Sequence, residues 1–376
     1  MTKTGLALGT IFATAAFWAP QAQAVTYSVL HTFAGSPADG ANSASSLISD
    51  PGGDLYGATY AGGATNQGAV FVWAVGGPET VLYSFTGAAD GGGPEAGLVR
   101  DVAGNLYGTT YFGGAYGYGV VFELSPGSPW TETVLYSFTG GTDGAFPQST
   151  LILDSLGNLY GTTLNGGSGA GVVFGLAPGT PWTEVVLYAF SGAGDGANPG
   201  AGLVRDSSGN LWGTTEYGGS SGDGVVFKLA PSGQETTVYS FTGGSGANPQ
   251  AVLAIDSLGT LYGTTPYGGS GYGVVFKVSQ SGTETILHTF TGGADGAYPY
   301  SGVILGTANH LYGVTYFGGA FGDGTAFKMT TGGVETVLHS FKSGQYPFAG
   351  LFQNASGTYG TTYYGGSGSG VLFELH

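Results

Sequence analysis

Glu95 and Glu216 are the two acids that depart most from an otherwise regular pattern of recurrence in this sequence; the first follows Gly-Gly-Gly-Pro and the second Trp-Gly-Thr-Thr. Two carboxyl groups flanking a glycosidic bond can serve as general acid and as base or nucleophile. If the chain cleaves polysaccharide, as a hydrolase or lyase, these are its acids. Other catalytic groupings find little support. His31, His288 and His339 take a place held elsewhere by Tyr83, Tyr136, Tyr188 and Tyr239, and the spacing puts them at a rim, too far apart to share a metal. No His-Asp-Ser grouping stands out from the recurrence, and a triad is recognised by geometry, not by order.

A second set of acids is periodic: Asp39, Asp90, Asp143, Asp195 and Asp295, each followed by Gly. A ring of such carboxylates would attract cations, and Ca²⁺ is the cofactor that oxygen ligands suit. A Ca²⁺ site, however, needs about 6–8 converging oxygens. Asp-Gly is also a common turn pair, and turn chemistry is the stronger reading.

Aromatic residues cluster after a recurring Gly-Gly pair: Tyr111, Phe112, Tyr116, Tyr118, Tyr217, Tyr267, Tyr272, Tyr316, Phe317, Tyr363 and Tyr364. A flat ring stacks on the C–H face of a sugar while neighbouring Ser, Asn and Asp take its hydroxyls, so this set suits glycan binding. The competing reading is that such rings fill gaps in a core, each burying about 150–250 Å². Two further aromatics, Trp130 and Trp182, lie in longer Pro-Trp-Thr-Glu connections that other segments lack. They either form a paired stacking site or cap an edge.

The elements that must position these residues follow from an internal repeat. Leu-Tyr-Gly-Thr-Thr and its variants place an aromatic at Tyr56, Tyr107, Tyr160, Trp212, Tyr262, Tyr312 and Tyr359, at intervals of 47 to 53 residues. Periods of about 40–50 residues are those of propeller blades. Each copy holds four short runs rich in Val, Thr, Tyr and Phe, separated by Gly, Pro, Asn and Asp, which is the pattern of strands and turns. In the second copy these are residues 96–100, 105–110, 119–124 and 133–138. The expected fold is therefore all-β, a seven-bladed β-propeller of four-stranded antiparallel blades. The third run is almost continuously apolar, as a strand buried on both faces must be. The Gly after the motif aromatic sits within a strand, where a close approach by a ring or backbone explains it.

The phase of the repeat predicts ring closure, because the segment from Tyr27 to Phe33 matches a fourth strand and the segment from Gly370 to Leu375 a third. The N-terminal strand should complete the last blade and leave no open sheet edge. Loops from the fourth strand to the next blade, which carry the Asp-Gly pairs, and loops from the second strand to the third, which carry the aromatics, should share one face.

Residues 1–24 read as a secretory signal peptide: Lys3, an apolar run from Leu6 to Trp18, and Ala22-Gln23-Ala24. A single propeller domain over 25–376 is expected beyond it, exported to the periplasm, cell surface or medium, without a membrane span in the mature chain and as a monomer. The chain has no Cys, so packing and not disulfides must hold it. Its 77 Gly and 16 Pro would suggest disorder were it not for 24 Tyr and 22 Phe at fixed intervals. A formal charge of −16, with only seven Lys and Arg, argues against nucleic acid as a partner.

With Val-Leu-Tyr-Ser-Phe, Asp-Gly-Ala-x-Pro, Gly-Asn-Leu-Tyr-Gly-Thr-Thr, Gly-Gly and Gly-Val-Val-Phe in order, the chain resembles the GloVer (Gloeo/Verruco-type) tandem-repeat family of exported bacterial proteins. The resemblance implies a propeller-like repeat domain at or beyond the cell envelope; it carries over no catalytic residues. The reading favoured by the sequence is a binding or structural module for extracellular or cell-envelope polysaccharide, with glycans or cell-surface components as partners. A polysaccharide-cleaving propeller enzyme and a passive surface scaffold are the alternatives.

Overall fold

The computed structural model describes residues 25–376, and the leader expected at 1–24 lies outside them. The described chain forms seven four-stranded antiparallel sheets arranged as a β-propeller, six of them running in sequence order from the axis to the rim and the seventh taking its outer strand from the N-terminal segment. Blade two illustrates the plan, with strands Val99–Arg100, Leu106–Thr110, Val120–Ser125 and Thr131–Ser137.

The third strand explains itself by its neighbours. Val120 and Phe122 are packed in the core shared with blade one, and Val121 in the core shared with blade three. Both faces are thus buried and alternation disappears. Each interface is keyed by one aromatic pair, in which the Phe ending an outer strand meets the third-strand Phe of the next blade edge to face. Examples are Phe85 with Phe122 and Phe138 with Phe174, at centroid distances of 5.0 and 5.1 Å. The same Phe explains the strand glycine: a Cβ on Gly108 would lie 2.6 Å from the Phe122 Cζ. Where the third strand meets the fourth, the register slips between Val121 and Phe122, a bulge repeated in the other blades.

The innermost strand is shorter than the sequence suggests. A run over residues 96–100 was expected, but only Val99–Arg100 pairs with the second strand. The preceding residues instead bond sideways around the axis. Gly97 N donates to Thr150 Oγ1 at 3.0 Å, and Thr162 and Thr264 donate to the Ala201 and Ser301 carbonyls of the following blades. Seven segments converging on one axis leave room for these contacts and not for longer ladders.

Closure occurs as expected. Tyr27–Thr32 pairs with Val371–Leu375 and completes blade seven, with Tyr27 opposite Leu375 and Thr32 opposite Val371. Turn chemistry on the lower face also matches: Asp154 accepts from the Leu156 and Asn158 amides, the Asn158 side chain and the Tyr160 hydroxyl. Blade six differs, replacing this turn with a short 3-10 segment, Thr307–Asn309.

The two loop sets do share the upper face. They are bridged by backbone pairs such as Gly92 with Phe112, Ala197 with Tyr217 and Ala297 with Phe317. The approach is close enough that a Cβ on Gly113 would sit 2.7 Å from the Gly91 Cα, which is why both loops need glycine there.

Candidate functional site

The axial segments enclose a cavity of about 380 Å³ at the centre of the ring. One position per blade, the residue after the loop Pro or its equivalent, contributes to its lining: Ala44, Glu95, Gln148, Gly200, Gln250, Tyr300 and Phe348. Leu164 and Glu216, which follow second strands, and the Ser46, Thr150 and Ser301 hydroxyls of the inner segments also line it. The backbone that carries these residues repeats, whereas the side chains do not, so chemistry is concentrated where the repeat is broken.

Glu95 and Glu216, singled out from sequence, therefore face the same cavity. Burial pushes the Glu95 carboxyl up to about 7. Its charge reaches Tyr111 and Tyr363, whose hydroxyls are raised first by burial, Tyr363 to about 12. Glu216 accepts a 2.8 Å hydrogen bond from the Gln250 side-chain amide.

On the upper face around this cavity the aromatics form a network through blades five, six and seven. Tyr298 meets Tyr267 and Tyr272 at 5.8 Å and Phe317 at 6.0 Å. Tyr346 stacks on Tyr316 at 5.4 Å and meets Phe317 and Tyr364. Tyr300 stacks on Phe348 at 5.4 Å, hydrogen-bonds the Tyr267 hydroxyl at 3.0 Å and lines the cavity, so the network runs into the axis. Tyr267, Tyr272, Phe317 and Tyr364 are exposed. A smaller group in blades two and three joins Tyr111 and Tyr118 through Phe146, at 5.1 and 5.6 Å. Tyr116, 60 % exposed, and Tyr217 stand out on the same face.

Phe146, Tyr298 and Tyr346, together with Tyr300 and Phe348, were not picked out from sequence. Their signal is the aromatic residue beside the loop Pro, in Ala-Phe-Pro, Ala-Tyr-Pro-Tyr and Gln-Tyr-Pro-Phe. The backbone makes them unusual. Phe146, Tyr298 and Tyr346 adopt φ of 57°, 54° and 41°, where bulky residues are rare, while the same place in blades one, four and five holds Asn42, Asn198 and Asn248. Those asparagines tie the neighbouring loop through their side-chain amides, to the carbonyls of Tyr363, Leu164 and Glu216. The aromatics give up that bond, and their rings join the surface clusters.

The other candidates lie elsewhere. Trp130 and Trp182 pack separately, each half-buried against its own inter-blade core, and Trp182 meets Tyr107 at 6.4 Å. They do not form one paired surface. The Asp-Gly acids form no ring at the axis; they sit toward the rim, tied to the outer strands. Asp90 accepts from the Tyr83 hydroxyl and from the Thr86 amide and hydroxyl, and Asp143, Asp195 and Asp295 repeat the arrangement with Tyr136, Tyr188 and His288. Burial opposes ionisation of Asp143, but hydrogen bonds from Thr139 and Tyr136 prevail and hold its carboxyl below the usual range.

Opposite each of these acids stands a glutamate from the next blade. Burial first, and the facing Asp second, push Glu132 and Glu184 up to about 7. At the seam where the ring closes, His31 replaces the tyrosine and lies 2.9 Å from Asp39, whose other partners are the Ala34 and Gly40 amides. Among the described residues no helix is long and apolar enough to cross a membrane.

Solved structures with similar folds include a protein of unknown function from Bacteroides thetaiotaomicron, 12% identical, covering 94% of this chain and 76% of its own with a TM-score of 0.52. Another is a putative 6-phosphogluconolactonase from Bacteroides uniformis, 15% identical, covering 81% and 86% with a TM-score of 0.51. At such identities the likeness is one of fold. No curated protein matches the sequence. The repeat itself is matched in two overlapping stretches, residues 6–169 and 152–373, which together span nearly the whole chain. The seven-fold motif, the strand order and this match agree, and the chain belongs to the Gloeobacter/Verrucomicrobia repeat family.

Proposed function

We propose that this protein is an exported polysaccharide-binding module that receives its ligand on the upper face, along the aromatic network of blades five to seven and into the axial cavity. The observation that carries this reading is the placement of Tyr298 and Tyr346 at left-handed φ, beside exposed Tyr267, Tyr272 and Phe317. Backbone strain of this kind costs of order 1–3 kcal/mol and persists where it serves a site. Stacked rings offer flat faces to sugar C–H groups. The cavity beside them offers Gln148, Gln250, Glu216 and Glu95 to hydroxyls. The surplus of acids over bases favours neutral or cationic glycans over anionic ones.

A second reading, cleavage of the same ligand, is favoured by one observation: the half-buried Glu95 carboxyl that lines the cavity, raised to about 7, holds a proton that a leaving sugar oxygen could take. One experiment separates them. Affinity electrophoresis of the mature chain against a panel of soluble polysaccharides should show retardation by at least one, reduced about tenfold or more by Tyr267→Ala with Phe317→Ala. Failure of every polysaccharide to retard the protein would overturn the binding reading. Release of reducing ends that disappears in Glu95→Gln would establish cleavage instead.

A further inference from the structure

We propose that His31, Asp39 and Glu79 bind one borderline divalent cation of the Zn²⁺ type, which fastens the ring-closing strand to blade one. Among the described residues this is the one group of three such side chains whose ligand atoms all lie within 4.8 Å of one another. His31 comes from the strand that closes blade seven, Asp39 from the loop leaving it, and Glu79 opens the outer strand of blade one. His31 Nε2 is 2.9 Å from Asp39 Oδ2 and 4.0 Å from Glu79 Oε2. Ligands about 2.0–2.2 Å from a tetrahedral ion stand roughly 3.3 Å apart; the His31–Asp39 pair is closer than that and the His31–Glu79 pair wider, with the third pair within 4.8 Å, so binding requires Glu79 to move inward.

A second observation points the same way. The Glu79 side chain is 5% exposed, and its Oε1 has no hydrogen-bond partner. The orphan oxygen recurs at Glu132, Glu184, Glu284 and Glu335, so it is a property of these interfaces and not of the seam alone. What sets the seam apart from the tyrosine-bearing interfaces is the imidazole, and from the His288–Asp295 interface the convergence of all three ligand atoms. In blades one to three a tyrosine hydroxyl donates to the loop Asp, and a protonated phenol is a poor ligand. At the seam a neutral imidazole and two carboxylates supply the N and O donors that suit Zn²⁺ better than Ca²⁺, which takes about 6–8 oxygens. The cation would replace the proton between His31 and Asp39 and neutralise both carboxylates. The Ala34 and Gly40 amides, at 2.7 and 2.6 Å, already orient Asp39, as outer-shell donors orient ligating carboxylates. His288 lies 3.2 Å from Asp295 in a similar pair but completes no such group of three. It is the internal control.

The test is calorimetric titration of the untagged, chelator-treated mature chain with Zn²⁺ and, separately, with Ca²⁺. One equivalent of Zn²⁺ should bind and raise Tm, with Ca²⁺ binding far more weakly. His31→Tyr installs the residue that four other blades carry, so the fold should survive, as circular dichroism would verify. Binding should weaken at least about 100-fold, more than loss of an outer-shell partner causes. Glu79→Gln should act likewise and His288→Tyr should not. Absence of saturable Zn²⁺ binding, undiminished binding by folded His31→Tyr, or preference for Ca²⁺ would each overturn the proposal.

Discussion

At the scale of single residues, the molecule separates those that repeat from those that do not. Gly108, Phe122 and their counterparts recur because geometry leaves no choice, and they report on folding. Tyr298 reports on something else. It occupies a left-handed φ of 54° that blade five serves with Asn248, and asparagine tolerates that region far better than a bulky ring. Tyr298→Asn should therefore leave the fold intact and stabilise it by about 1 kcal/mol, measured by denaturant unfolding, while weakening polysaccharide retention. A variant that loses stability would show that the ring is held for packing. This residue also marks the limit of what was legible in the sequence. The aromatics after Gly-Gly could be found because they extend a motif, whereas Phe146, Tyr298 and Tyr346 stand where a motif is interrupted, and φ is not written in composition. Glu95 and Glu216 were legible as exceptions; their common cavity was not, since it depends on seven segments meeting at one axis.

At the scale of strands, the notable pairing is between outer strands of adjacent blades. Glu79, Glu132, Glu184, Glu235 and Glu335 stand at or next to the start of an outer strand, and in each burial, with the facing Asp adding to it, raises the carboxyl to about 7, at Glu235 against a hydrogen bond from Thr237. A carboxyl raised in the folded state holds its proton more tightly there than in the unfolded chain. Its contribution is fullest below the unfolded value, near 4.5, and is lost as pH climbs through about 7. Asp39, Asp143, Asp195 and Asp295 are lowered, their hydrogen bonds outweighing burial, so their contribution holds above the ordinary Asp range and fails below it. Stability should therefore peak near pH 5 and fall toward pH 8, as a thermal series in chelator-containing buffer would show. Glu132→Gln mimics the protonated form and should raise Tm at pH 8 by roughly 2 °C with little change at pH 5. A flat profile for the parent protein would contradict this account. None of this could be read from the chain alone. The period gives each blade its Asp and its Glu, but only the inter-blade geometry brings the Asp of one to the Glu of the next.

At the scale of the whole molecule, closure was the most legible feature, because a chain that begins in the phase of a fourth strand and ends in that of a third states its own junction. The shortened inner strands were less so: residues 96–98 have strand composition, and crowding at the axis overrides it. Removing residues 25–32 should expose the edge of Val371–Leu375 and uncover Phe33, which packs on Phe71 at 5.2 Å. We expect Tm to fall by about 10 °C or more and the truncated protein to associate through the bare edge, both visible by size-exclusion chromatography with thermal denaturation. A monomer of unchanged Tm would mean that the closing strand is dispensable.

The backbones of Thr26 and His376 are joined by two hydrogen bonds, of 2.7 and 3.1 Å, so the ladder continues across the gap between them. Thermodynamically the torus has no first blade. Joining these two residues through a short linker and opening the chain at another lower-face turn, such as that at Gly76, would give a circular permutant with the same contacts but a different order of synthesis. The place where the polypeptide is interrupted is then a matter of folding order, free to vary without altering the surface that the seven blades present.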